Sequence, residues 1–129
     1  MNVKVGSYIG NGTSQSITAP GFQPNFVLIK RVGASWPCMA SSSMAADTTK
    51  DFDGTIFFAG GITSRDATGF SVGSDARVNL SGATYQYICL KTAVADCYVG
   101  SYTGNGLDNR SITGIGFPPN MALVWNGTE

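Results

Sequence analysis

Apolar and polar positions alternate along this chain in short runs, interrupted by turn residues. Asn2 to Ile9 sets Val3 and Val5 against Asn2, Lys4 and Gly6, the period of two expected of a strand with one covered face. Phe26-Val27-Leu28-Ile29 is a continuous apolar run ending in Lys30-Arg31, which predicts a strand covered on both faces and therefore central in its sheet. Trp36 to Ala40 reads as a further short strand, and Ser41 to Lys50 as a small, polar stretch with at most one helical turn at Ala45-Ala46. Thr55 to Ala59 has strand propensity and is stopped by Gly60-Gly61. Gly69 to Gly73 and Ala76 to Leu80 alternate on either side of a Ser74-Asp75 turn, predicting two strands. Thr84 to Lys91 carries the strongest strand pattern, with Tyr85, Tyr87 and Cys89 on one face, Gln86, Ile88 and Leu90 on the other, and both faces covered. About ten short strands, glycine-rich turns and no convincing helix predict an all-β domain, an antiparallel β-sandwich or jelly-roll-like fold.

The first strand pattern opens a unit that the chain repeats. Val5-Gly6-Ser7-Tyr8-Ile9-Gly10-Asn11-Gly12, Ser16-Ile17-Thr18 and Gly21-Phe22-Gln23-Pro24-Asn25 return as Val99-Gly100-Ser101-Tyr102-Thr103-Gly104-Asn105-Gly106, Ser111-Ile112-Thr113 and Gly116-Phe117-Pro118-Pro119-Asn120. Roughly 15 of about 25 aligned positions are identical, far beyond chance. Two copies, at 3–31 and 97–126, are therefore predicted as equivalent hairpin-plus-strand elements. Gly-Asn-Gly supplies the positive φ of a tight hairpin turn, with Gly12 and Gly106 at the left-handed positions. Pro24 and Pro119 cannot donate to a ladder and mark the lead-in to the strands Phe26 to Ile29 and Met121 to Trp125. A phosphate-cradling role for Gly-Asn-Gly would need a helix to follow, and strand-like sequence follows instead. The favoured organisation is one domain over 1–129, since a dangling strand pair would leave an exposed edge; the alternative is that the second copy opens a further unit.

Composition narrows the function classes. The chain has 129 residues, of which 12% are charged and 43% hydrophobic, with 17 glycines. Eight basic and eight acidic residues leave a net charge of zero, so nothing steers the protein toward nucleic acid or an anionic membrane. A weakly charged exterior favours association. No signal-peptide pattern opens the sequence, and no apolar run approaches a membrane span. Cys38, Cys89 and Cys97 lack the spacing of a zinc or redox motif, and histidine is absent. Buried free thiols are the expectation, with one disulfide involving Cys97 as the alternative.

Candidate chemistry is sparse. Asp51 and Asp53 in Asp-Phe-Asp-Gly resemble the opening of a calcium loop, but the later ligands of that loop are missing, and a turn leading into a strand is the favoured reading. As an acid pair they lack a pocket that would push their pKa values apart. Tyr85 and Tyr87 could form a sugar-stacking platform, although paired strand tyrosines more often pack. The sole glutamate is Glu129, and neither the serines nor the cysteines have a base within a motif, so no catalytic, metal-binding or cofactor-binding residue is assigned, no cofactor is expected and an enzyme is not predicted.

Three ordered motifs carry a family resemblance: Gly-Ser-Tyr-x-Gly-Asn-Gly, then Ser-Ile-Thr with Gly-Phe-x-Pro-Asn, and Gly69 to Asn79 followed by Thr84-Tyr85. Together they resemble the glycine-rich β-domains of tailed-bacteriophage virion proteins, in tail fibres or other surface components. The resemblance implies a virion structural role, as a fibre segment or a decoration subunit on the outer surface of the particle, made in the host cytoplasm, with no catalytic residue to carry over. The implied partners are further copies of the chain or other virion proteins. A carbohydrate-binding module that contacts host-surface glycans through Trp36, Tyr8 and Tyr102 is the alternative; Trp125 joins these three as a candidate contact aromatic. Elemental analysis of the purified protein is expected to find neither calcium nor zinc in stoichiometric amount; loss of folding on adding a chelator contradicts that expectation.

Overall fold

The computed structural model describes residues 1–34, 36–52, 54, 56–93 and 95–126. Its elements run β1 (Asn2–Ile9), β2 (Gln15–Ile17), β3 (Phe26–Arg31), β4 (Cys38–Ser41), β5 (Thr49–Asp51), β6 (Phe57–Phe58), β7 (Ile62–Asp66), β8 (Gly69–Val72), α1 (Ala76–Asn79) and β9 (Thr84–Lys91). The strands form two open antiparallel sheets, a six-stranded one ordered β1-β9-β3-β4-β5-β6 and a three-stranded one ordered β2-β8-β7. This is an all-β, sandwich-like fold, as the alternating runs predict, and the continuous apolar run of β3 lies inside the larger sheet.

One face of the large sheet supplies Val27, Ile29, Cys38, Ala40, Tyr85, Tyr87 and Cys89 to a core shared with Ile17, Ile62, Phe70 and Val72 of the small sheet and Val78 of α1. Each buried aliphatic or phenyl side chain there contributes about 1.5–3 kcal/mol. Tyr8 stacks on Tyr85 at a centroid distance of 5.2 Å, and Phe70 meets Tyr87 edge-on at 5.3 Å, arrangements that add about 0.5–1.5 kcal/mol each. The Tyr85 hydroxyl accepts from Leu80 N at 2.8 Å and donates to the Ala76 carbonyl at 2.7 Å, fastening both ends of α1 to the sheet. Polar groups also bridge the sheets: Thr49 Oγ1 accepts from Ile62 N at 2.6 Å.

Several sequence expectations change. Ala76 to Leu80 is not a strand. Asp75 caps a helical turn by accepting from Arg77 N at 2.9 Å, and over five residues this local capping outweighs an alternation of two. β5 and β7 are additional strands; the sequence Thr49-Lys50-Asp51 contains no apolar residue to announce one. β1 has the predicted limits but the opposite facing, with Gly6 and Tyr8 turned to the core and Val3 and Val5 exposed. Gly6 must be small there because the Tyr87 ring occupies the space a Cβ would take. β9 is covered on one face only, leaving Gln86 and Ile88 exposed.

Gly10-Asn11-Gly12 is not a hairpin turn. β1 pairs with β9 in the large sheet and β2 with β8 in the small one, so these residues carry the chain across the sandwich. Eight residues of pairing with β9 outweigh the three that a hairpin with β2 could offer. Gly12 N donates to the Asn79 carbonyl at 2.9 Å and Gly10 N to the Ala83 carbonyl at 2.8 Å. A side chain at Gly10 would overlap the Leu80 carbonyl. The left-handed conformation expected of the glycines is present in both copies, with φ of 75° at Gly12 and 70° at Gly106.

The second copy forms no strand. Residues 98–126 run without sheet pairing and with most side chains exposed, so the hairpin and the strand predicted over Met121 to Trp125 are absent. The reason lies in β9. In the first copy β1 takes one of its edges and β3 the other, and no second β9 stands beside the second copy.

Asn79, fully buried, joins this corner together. Its Nδ2 donates to the Gly73 carbonyl at 2.7 Å and to the Thr13 carbonyl, and its Oδ1 accepts from Asn11 N at 2.9 Å and Gln15 Nε2 at 2.7 Å. Asn79→Ala is expected to destabilise the protein by about 2–4 kcal/mol by orphaning these groups, read as a lower urea midpoint with an unchanged slope.

Candidate functional site

Asp51, one half of the suggested acid pair, is already engaged. Asp51 lies at the edge of the core, where its Oδ1 accepts from Cys38 Sγ at 3.4 Å and its Oδ2 pairs with Arg77 Nη1 at 3.3 Å. Arg77 also grips Asp75, through Nε to Oδ1 at 3.0 Å and Nη2 to Oδ2 at 2.9 Å, and its guanidinium lies 3.4 Å from the centre of the Phe58 ring. Asp53, the other half of the suggested pair, lies outside the described residues, as does Glu129. Among the described residues no three His, Cys, Asp or Glu side chains converge to hold a metal ion.

The three cysteines are free thiols, two buried and Cys97 partly so. Burial, and then the hydrogen bond to Asp51, pushes the Cys38 thiol up to about 12. Burial alone takes Cys89 to about 12. Burial, and then Asp96, raises Cys97 as well. Thiols held protonated in this way are poor nucleophiles at neutral pH. Tyr8 is likewise raised, first by burial and then by Tyr85, and donates to the Val78 carbonyl at 2.6 Å.

The suggested sugar platform is part of the core. Tyr85 and Tyr87 are buried, and Tyr8 packs between them and Phe70. Trp36 lies outside β4 and is 64% exposed, beside a shallow open hollow lined by Lys30, Gly33 and Ala34. Tyr102 is exposed too, with Arg110 at 5.8 Å from its ring centre.

Apolar residues also line the outer face of the large sheet, exposed at its β1 end and buried toward β4. Val5, Ile88, Leu28 and Met39 stand in register across β1, β9, β3 and β4, and Val3, Leu90 and Phe26 form the next row. Trp125 covers one end, its ring 5.8 Å from that of Phe26, over a hollow of about 150 Å³ lined also by Met39, Lys50, Phe52, Leu123 and Val124. The other end is open: Val3 is 48% and Val5 65% exposed. β1 lies last in the sheet order, so one of its long edges has no neighbouring strand in the sheet. Sequence reasoning missed this face because it turned Val3 and Val5 inward. The usable signal was Tyr8, a large aromatic on the other parity of the same strand.

Comparison of the chain with family models, with curated proteins and with solved structures gives no match.

The Asp75–Arg77 pair makes acid stability testable. The Arg77 guanidinium holds the Asp75 carboxyl below its ordinary value, against a smaller opposing effect of burial. Its contribution is therefore present above the unfolded carboxylate value of about 3.9 and is lost as pH falls through the lower folded value. Asp75→Asn is expected to lower the Tm near neutral pH and to leave the two proteins' melting temperatures converging toward about pH 2, measured by thermal unfolding across that range.

Proposed function

We propose that the protein is a non-enzymatic structural subunit of a bacteriophage virion, a decoration or tail-fibre component on the outer surface of the particle that assembles with further copies or other virion proteins. The observation that carries the assembly is β1, an eight-residue edge strand whose outward row, Val3, Val5 and Ile9, is exposed and continues into Ile88. Long apolar edges with unpaired backbone groups invite a neighbouring strand, and only Lys4 interrupts this one with a charge. Zero net charge removes the repulsion that keeps small proteins apart. The ordered glycine-rich motifs that resemble virion β-domains supply the biological setting.

A second reading, a carbohydrate-binding module contacting host-surface glycans, draws on Trp36, whose exposed indole borders the hollow beside Lys30. Light scattering over rising concentration separates the two. A structural subunit is expected to form defined oligomers and to leave tryptophan fluorescence unmoved by glycans. Val5→Lys, which places a second charge on the β1 edge, should shift it to monomer with little change in melting temperature. A monodisperse monomer at high concentration whose fluorescence responds to glycans supports the module instead.

A further inference from the structure

Three residues through which the first copy grips the segment from Gly69 to Thr92 recur in the second copy. Tyr8 stacks on Tyr85 and bonds to Val78, Asn11 N bonds to Asn79, and Asn25 both donates from N to the Leu90 carbonyl at 2.7 Å and accepts at Oδ1 from Thr92 N at 3.0 Å. Tyr102, Asn105 and Asn120 stand at the same positions in the second copy and are exposed. Elsewhere the copies differ at exposed and buried positions alike: Lys4 becomes Tyr98 and Ile9 becomes Thr103, while exposed Val5 and Ser7 recur as Val99 and Ser101 and buried Val27 becomes Ala122. The turn is also preset. Asn11 Oδ1 accepts from Thr13 N at 2.9 Å and Asn105 Oδ1 from Leu107 N at 3.1 Å, each followed or accompanied by the left-handed glycine.

We infer that residues 97–126 are a docking half-module whose occupant is a second segment built like residues 69–92: a short helix ending in a buried asparagine, followed by a strand with two tyrosines and a small residue on its inward face. The segment of this chain is not that occupant, because β1 and β3 already hold both edges of β9. A second folded copy of the chain is excluded for the same reason. The occupant is a repeat segment of this chemistry with its own edges unfilled. This inference concerns a different surface from the β1 edge and needs no virion.

The test extends the full chain by a second copy of residues 32–96, joined after Asn126, which places the probe at the distance it has in the first module. Hydrogen exchange is read over residues 99–124. Protection there is expected to rise about a hundredfold or more on extension. Gly104→Val within the extended chain should abolish the gain while residues 2–91 keep their protection, since Gly104 corresponds to Gly10, where a side chain would meet the Leu80 carbonyl. Equal exchange of residues 99–124 in extended and unextended chains overturns the inference. So does protection that appears in the unextended chain with rising concentration, which would make another copy the occupant. Association that Val5→Lys abolishes reports on the β1 edge, and exchange of residues 99–124 reports on the second copy, so the two readings fail separately.

Discussion

Everything in this fold depends on β9 having two edges. A strand can pair with one neighbour on each side, and β9 takes both neighbours, β1 and β3, from the first thirty or so residues of the chain. With those pairings made, the tyrosines of β9 project into the space between the sheets, β2 is delivered to the small sheet, and α1 is held under the Tyr85 hydroxyl. The second copy of the same sequence, lacking a β9 of its own, stays unpaired. Similar sequence in two settings thus separates what is local from what is tertiary. The asparagine turn and the left-handed glycine form in both copies, whereas the strands form only where a partner strand stands.

The polar interior serves the same arrangement. Asn79 satisfies the backbone at the point where the chain leaves one sheet for the other, Thr49 ties β5 to the start of β7, and Arg77 links Asp75 with Asp51. Among the described residues no buried side-chain nitrogen or oxygen lacks a partner. These groups are committed to one another on the inward side of the large sheet, and the apolar rows of Val5, Ile88 and Leu28 lie on its opposite side.

Much of the fold was legible in the sequence. The unbroken apolar run Phe26 to Ile29 placed β3 inside a sheet, and the tyrosine alternation of Thr84 to Lys91 located β9. What escaped did so for physical reasons. Period-two alternation defines two faces without saying which is buried, and in β1 both parities carry apolar groups, so Val3 and Val5 were assigned to the wrong side. Five residues cannot separate a capped helical turn from a strand, hence α1. Thr49 and Asp51 are buried through hydrogen bonds and an ion pair, which hydrophobic patterning does not register. The repeat was read as two equivalent elements because sequence identity reports the half of an interface that one segment carries and is silent about whether the other half is present.

The pairing of the first strand with the last has a kinetic side. β1 spans Asn2 to Ile9 and cannot be seated until Thr84 to Lys91 has been made, so the large sheet closes late, by contacts of long sequence separation of the kind that slow folding. On a ribosome, however, that delay orders the events. When β9 emerges, the first copy of the repeat is already waiting and the second is still held in the exit tunnel. Two similar suitors for one strand would otherwise be a recipe for misfolded isomers; emergence from the N-terminus resolves the competition before it can begin.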